Sequence, residues 1–413
     1  MRGLVNIYFW IFIFTTVNRE FLLFGFDLRY ALVTLAVILL VFYPSNNRHS
    51  VRKKKRESVS ASIRQLFWFY AIIAISNISW LWNGLPLNDE QFLNIVILNI
   101  NNLFALVVVV LYRSMLDIRQ CLNAVILSGV VLVGSVIYVY SGFTIPEMFM
   151  SSDSRQYSIG AGFENLFGQA IRVSGFGEDA NFTSLACILC FVCSLYKARG
   201  AILPIVFFGG LFFFGIALSF SRTMLLGMLV AVVATIAFLF LKRIWSIFSV
   251  VIVLTFAVTA LLLLPNLALF GDMATMDIRY SMWQSASELF LDNPVIGAGT
   301  SSVRSQLFLS RGIYGQCHST WWQVVSEQGL IGIICFMLVW IKALREARSG
   351  FLVLALVTTL VGSINFEIVY LQIFIFSLVI CPILFDTQSD NIEVQELSNE
   401  CVDVTASRNR ERL

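Results

Sequence analysis

Residues 201–264 read AILPIVFFGGLFFFGIALSFSRTMLLGMLVAVVATIAFLFLKRIWSIFSVVIVLTFAVTALLLL, and their only charged side chains are Arg222, Lys242 and Arg243. Two polar breaks divide the stretch into apolar runs at 201–219, 223–241 and 244–264, each close to the roughly 20 residues that a helix needs to cross a bilayer. Hydrocarbon offers no partner for a backbone N–H or C=O, so continuous runs of this kind span as helices. The strands of a membrane β-barrel would alternate polar and apolar residues instead, which argues against that architecture.

The same pattern extends to both sides. Further apolar runs lie at 3–17, 23–43, 65–82, 92–112, 121–141, 182–197, 322–341, 350–365 and 368–385, which makes twelve spans in all. The composition agrees: of 413 residues, 58% are apolar and 13% charged, against about 45–50% and 25% in soluble domains, and the mean hydropathy is +0.82. The fold class is therefore all-α, a polytopic membrane domain over residues 1–385. Arg2 followed by Leu4–Val17 resembles a signal peptide, but no small-residue cleavage site follows and a second apolar run begins at once, so it reads as the first span. Residues 386–413 contain no aromatic side chain and mix acids with Arg408, Arg410 and Arg412, the composition of a disordered tail.

Net charge is +3, too small to suggest a nucleic-acid partner. The positions of the charges say more. Arg48, Arg52, Lys53, Lys54, Lys55, Arg56 and Arg64 crowd one loop, and every second loop after it is also basic: Arg113 and Arg119, Lys197 and Arg199, Lys242 and Arg243, then Lys342, Arg345 and Arg348. Basic short loops stay cytoplasmic, so the alternation puts both termini inside. The run at 52–56 fits an anchor on anionic lipid. Cys187, Cys190, Cys193, Cys335 and Cys381 lie within apolar runs, where they serve as small packing residues rather than as a disulfide or iron–sulfur framework.

Two outward loops are long, 142–180 and 265–321, and both are expected to fold back over the membrane domain. Their basic residues, with those of the shorter outward turns, are arginines: Arg155, Arg172, Arg222, Arg279, Arg304 and Arg311. A guanidinium presents a planar fork of donors matched to phosphate or carboxylate. The cluster thus points to an anionic, oxygen-rich ligand at the membrane surface. For Arg155, Arg304 and Arg311, pairing with acids such as Asp153, Glu164, Asp179 and Asp277 fits equally well. Arg222 stands apart, because a connection of a few residues between two spans holds it at the hydrocarbon edge, where an ionised side chain is costly and marks function by default.

Residues 277–290 place Ile278, Met282, Ala286, Leu289 and Phe290 on one helical face, with Arg279 and Trp283 one turn apart on its flank. The spacing predicts an amphipathic helix lying on the membrane. Asp292–Asn293–Pro294 ends it, and Gly297–Ala298–Gly299 forms either a turn that lets backbone approach a ligand or plain loop punctuation. Of two histidines, His49 falls in the basic loop and His318 opens the tenth span beside Trp321 and Trp322. His318 suits a helix cap or interfacial belt, and equally a proton acceptor on this face. A single outward histidine argues against a zinc site. Asp179 and Asn181 precede the sixth span, where they fit a helix cap, and Glu367 at the last outward turn is placed to pair with an arginine.

Three segments, SFSRTMLLG (219–227), RYSMWQSASELFLDNPVIGAG (279–299) and HSTWWQVVSEQGLIG (318–332), together resemble the O-antigen ligase/polymerase superfamily of bacterial envelope glycosyltransferases. GFGEDAN (175–181) is similar to the family's glycine–aspartate–asparagine segment before a span. Ala180 stands where proline is commoner, and Ser319 where asparagine is commoner. The resemblance implies a C-type membrane glycosyltransferase in the bacterial inner membrane with its site on the periplasmic face. The donor would be a glycan on undecaprenyl diphosphate and the acceptor a sugar hydroxyl on a glycan or lipid. No cofactor and no metal are implied, and the reaction inverts the anomeric carbon. Residue by residue, the catalytic set falls on Arg222, Arg279 and His318, with the two arginines holding the diphosphate. Candidate substrate-binding residues are Arg172, Asp179, Asn181, Trp283, Arg304, Arg311, Trp321 and Glu367. A chain-length regulator is a candidate partner. Polymerase is preferred over ligation of the finished glycan to lipid A–core. A polyprenyl-linked sugar transporter ranks behind both, because transporters break their helices at mid-membrane and the spans here read as unbroken.

Overall fold

In the computed structural model the described residues are 2–41, 61–78, 89–150, 157–160, 170–177, 179–198, 201–219, 221–263, 274–311, 317–365, 368 and 371–385. The basic run at 52–56, Arg155, Glu367 and the tail 386–413 lie outside them.

The chain is an all-α membrane protein. Helices run in the order α1 (Arg2–Val17), α2 (Leu28–Val41), α3 (Ala61–Asn77), α4 (Asp89–Tyr112), α5 (Ile118–Tyr140), α6 (Ala180–Lys197) and α7 (Ile202–Ser219). There follow α8 (Arg222–Phe240), α9 (Trp245–Val258), α10 (Ala274–Asp292), α11 (Ser302–Arg311), α12 (Thr320–Glu346) and α13 (Gly350–Asn365), then α14 (Gln372–Phe385). Each of the twelve apolar runs falls on one of these helices. By length and apolarity α5, α6, α7, α8, α12 and the stretch Lys242–Leu262 containing α9 are sufficient to cross a membrane, while α1, α2, α13, α14 and the apolar part of α4 are shorter.

Helix α6 is the centre of the bundle and packs on α5, α7 and α13. Cys187, Cys190 and Cys193 are fully buried there. Glycines opposite them make the fit: a Cβ on Gly129 would come within 2.7 Å of the Cys190 sulfur, and one on Gly215 within 3.0 Å of the Cys187 sulfur. The cysteines are thus close-packing residues, as their positions in the sequence suggested. Large apolar side chains on α7, α8 and α9, among them Leu203, Phe207, Phe240 and Ile247, stay exposed and form the surface that lipid covers.

Three features depart from the sequence reading. The second run was expected to be helical from 23, yet Leu22–Leu23 (β1) and Phe26–Asp27 (β2) pair as a tiny hairpin turned at Phe24 and Gly25, both at positive φ. The segment after α5 closes on it, with Leu22 N–H donating to Phe149 O (2.9 Å) and Gly25 N–H to Met148 O (2.7 Å). A second hairpin, Tyr157–Gly160 (β3) with Ala170–Val173 (β4), occupies the loop between α5 and α6.

Second, α10 does not offer its apolar face to the bilayer. Met282, Ala286 and Leu289 are buried with Trp283, Ala298, Cys317 and with Val303 and Leu307 of α11 in a small core of their own. The amphipathic pattern was read correctly, but α11 and α12 supply the surface it covers.

Third, α12 is broken. Gly329 has φ 65° and ψ −161° inside the helix, a region essentially reserved for glycine. The freed backbone groups are taken up by the loop after α10: Leu330 N–H donates to Pro294 O (2.8 Å), Ala298 N–H to Ser326 O (2.8 Å) and Gly299 N–H to Glu327 O (3.0 Å). A Cβ on Gly297 would sit 2.3 Å from the Glu327 carbonyl carbon. The glycines at 297 and 299 therefore serve close approach to the opened turn of α12.

Candidate active site

The site is built around the first turn of α6. Asp179 is extended, at φ −147° and ψ 174°, and its Oδ1 accepts from the N–H groups of Asn181 and Phe182, both at 2.7 Å. It is the helix cap, satisfying two of the donors that a helix start leaves open. Asn181 is no cap. Its Oδ1 accepts from Arg172 Nη2 (3.1 Å) and from Ser221 Oγ (2.6 Å). Ser221 in turn caps α8, accepting from Met224 N–H at 3.4 Å, and Arg222 is the first residue of that helix. One carboxamide thus ties β4, α6 and the start of α8 together. A hydrogen bond between the hydroxyls of Ser184 and Ser219 secures the same junction one turn deeper.

Arg279 arrives from α10. Burial lowers its pKa, Arg172 lowers it further, and Asp179 partly restores it. Those influences place the three side chains in one electrostatic neighbourhood. One turn along α10, the buried Trp283 donates from Nε1 to Cys317 O at 3.2 Å, which fixes the residue before His318. His318 is half-buried and has φ 50°, an uncommon conformation for a side-chain-bearing residue. Ser319 holds the cap position of α12 without a side-chain cap bond. Trp321 is fully buried, donating to Ser363 Oγ (2.9 Å) and meeting Phe336 edge-on, a core position between α12 and α13.

Of the remaining predicted residues, Arg304 is half-buried on α11, and Arg311 ends that helix. The side chains of Arg222 and Arg311 fall outside the described residues, as does Glu367.

Sequence reasoning passed over Arg19. It follows α1, close beside a predicted span end, and is half-buried. Burial pulls its pKa down to about 10; Glu20 raises it, Arg29 and Arg304 lower it, and Asp179 raises it. Arg19 therefore shares Asp179 with Arg279, and it stays charged at neutral pH. Its turn is pinned to the site by Glu20 N–H donating to Phe176 O (3.0 Å). The rule that singled out the other outward arginines applied to it as well. Glu327 was also missed: buried beside the break in α12, its Oε1 accepts from Ser301 N–H at 2.9 Å and helps hold the start of α11. An acid inside an apolar run was the available signal.

Arg19 and Arg279 thus both feel Asp179, whose Oδ1 is already engaged by the α6 cap, while Arg304 acts on Arg19 and Arg172 on Arg279. Such a cluster is suited to an anion rich in oxygen. Residues 205–337 match the model of a family described as O-Antigen ligase. That stretch takes in the starts of α8 and α12 and the whole of α10. No curated protein and no solved structure matches the chain.

Proposed function

Because the match over residues 205–337 supports membership of this chain in the O-antigen ligase/polymerase superfamily, we propose that it transfers a saccharide from undecaprenyl diphosphate to a sugar hydroxyl at the periplasmic face of the inner membrane. Twelve crossings with both termini cytoplasmic put the starts of α6 and α8 on that face, together with α10. The observation that carries the reading is the Asn181 carboxamide, which joins Arg172 to the cap of the helix that Arg222 begins, with Arg279 in the same electrostatic neighbourhood.

In this reading Arg222 and Arg279 hold the diphosphate. As the bond between the anomeric carbon and the phosphate oxygen breaks, negative charge builds on that oxygen, and fixed guanidiniums stabilise it. The acceptor hydroxyl attacks the anomeric carbon from the opposite side, its oxygen forming the new bond and its proton passing to His318. Undecaprenyl diphosphate leaves, and the anomeric configuration inverts. The guanidiniums take the part that a divalent metal plays in other glycosyl transfers, so neither metal nor cofactor is called for.

The acceptor we favour is a lipid-linked repeat unit, which makes the enzyme a polymerase. The description of that family as O-antigen ligase favours a second reading, ligation of the finished glycan to lipid A–core. A lipopolysaccharide gel of a deletion strain separates them: core bearing a single repeat means polymerase, and bare core with polymer left on the carrier means ligase. Complementation with Arg222→Ala, Arg279→Ala or His318→Ala should leave the deletion phenotype in place with protein still in the membrane. Normal ladders from all three would refute the enzyme.

A further inference from the structure

The hairpin between α1 and α2 turns the usual polarity inside out. Its apolar tip faces outward: Leu23 is 43% exposed, Phe26 51% and Phe24 71%. The charged side chains at its base are the covered ones, with Arg19, Glu20, Asp27 and Arg29 exposing only between 15% and 22% of their surface. In water, charged side chains stay exposed and large apolar ones go inside, so this hairpin is built for apolar surroundings. The turn adds a second observation. Phe24 and Gly25 have φ 52° and 80°, the kind of two-residue turn in which Asn-Gly is the favoured pair. A bulky side chain at positive φ is strained. The Phe24 ring meets that of Phe149 yet stays mostly uncovered, so the fold itself returns little for the strain. Leaving water is open to this backbone, because β1 pairs with β2 and the N–H groups of Leu22 and Gly25 donate to Phe149 O and Met148 O. The exposed apolar surface also continues on both sides, along Tyr30, Val37 and Val41 of α2 and through Tyr138, Phe143 and Met148 at and beyond the end of α5.

We infer that the tip Leu23–Phe26 is an interfacial anchor, seated in the outer leaflet of the bilayer on the proposed orientation. Its occupant is lipid, because the tip is continuous with the apolar faces that α2 and α5 turn to the membrane. Short links tie the anchor to the candidate site. Glu20 N–H donates to Phe176 O (3.0 Å), and the Phe21 and Phe176 rings meet edge-on with centroids 5.0 Å apart. Phe176 leads into the Asp179 cap of α6, and Arg19 stands at the base of the hairpin. Seating the tip therefore holds Arg19 and Asp179 at headgroup level, the height of the diphosphate of a lipid-linked donor. That consequence rests on the proposed transfer reaction; the anchor does not.

Replacing Phe24 by p-benzoylphenylalanine through nonsense suppression, then illuminating the full chain in its native membrane, tests the anchor. Intact mass spectrometry should show a phospholipid adduct, as it should for the same replacement of Phe207, which is exposed on α7. A protein adduct at position 24, whether to a second copy or to another chain, would overturn the anchor. No adduct at 24 beside a lipid adduct at 207 would mean that the tip faces water, and would overturn it too. A double variant, Phe24→Asn with Phe26→Thr, tests the link to the site. It removes both rings, while asparagine suits the positive φ and threonine suits a strand. Its melting temperature in detergent should hold, and a fall would overturn the strain argued for Phe24. In lipid vesicles KM for the lipid-linked donor should rise while kcat stays. An unchanged KM beside a lipid adduct at 24 would uphold the anchor and overturn its part in positioning Arg19. The adduct is read without glycan transfer, so failure of the transferase reading leaves that arm standing.

Discussion

Gly329→Ala tests how the broken helix holds the site together. At φ 65° and ψ −161° an L side chain is strained by about 1–3 kcal/mol. The new Cβ would lie 2.5 Å from Gly297 N and Val295 O and 2.6 Å from Val295 C. These are backbone atoms, so no rotamer change relieves the clash, and the loop must leave. It would surrender four bonds, Leu330 N–H to Pro294 O, Ile331 N–H to Val295 O, Ala298 N–H to Ser326 O and Gly299 N–H to Glu327 O, each worth about 1 kcal/mol net. Strain and bonds together come to about 5–7 kcal/mol, comparable with the whole stability of many domains. Thermal unfolding in detergent, followed by tryptophan fluorescence, should show a large fall, with loss of glycan transfer. Gly134→Ala is the control, because nothing lies within 4 Å of its added Cβ in α5, so it should be neutral or stabilising by about 0.5–1 kcal/mol. Equal melting temperatures for the two variants would refute the docking of this loop on α12.

Other substitutions probe the site itself. Arg222→Lys should lower transfer by at least about tenfold, since an ammonium does not reproduce the fork; transfer at the wild-type rate in membranes would count against bidentate grip. Asn181→Leu removes the acceptor shared by Arg172 and Ser221 and should cost about 2–4 kcal/mol, while Asn181→Asp, which keeps the acceptor, should retain most of the stability by the same melting assay. Trp283→Phe loses the bond to Cys317 O, so stability should fall by about 1 kcal/mol and kcat more than KM, because the residue beside His318 is no longer fixed; unchanged kcat would separate α10 from the role proposed for His318.

What could be read in advance follows from the range of each signal. Hydropathy acts over a whole run, so every predicted span lands on a helix. The α6 start was legible because a capping residue declares itself within a few positions, Asp179 before Asn181 and Phe182, whereas the α8 start was read from hydropathy alone and its Ser221 cap was not. The break in α12 was hidden because Gly329 sits in an apolar helix where a glycine ordinarily means close packing, and its cause is a loop far away in the chain. The hairpin at 22–27 was hidden for the opposite reason, since two-residue strands flanked by Phe24 and Phe26 leave no period to detect. Helix α11 is polar and rich in serine, and it becomes a helix by covering the buried face of α10. Arg19 was overlooked for its nearness to a span end, and Asn181 was read as a cap when its carboxamide reaches across to another helix.

On the proposed function, the charges around Asp179 would also set which part of a donor is read. A guanidinium recognises phosphoryl oxygens, and those are common to every lipid-diphosphate glycan whatever its sugars. The donor should therefore tolerate a change in its sugar better than a change in its leaving group. Replacing the diphosphate by a monophosphate removes at least one charge-assisted contact, worth about 1.5–3 kcal/mol, and predicts a fall in kcat/KM of about 10–150-fold. The comparison needs two synthetic donors, one with a monophosphate link and one with an altered terminal sugar, assayed with the same acceptor. Equal use of the monophosphate donor would mean that the arginines hold something other than the departing group, and the assignment of Arg222 and Arg279 would fall with it.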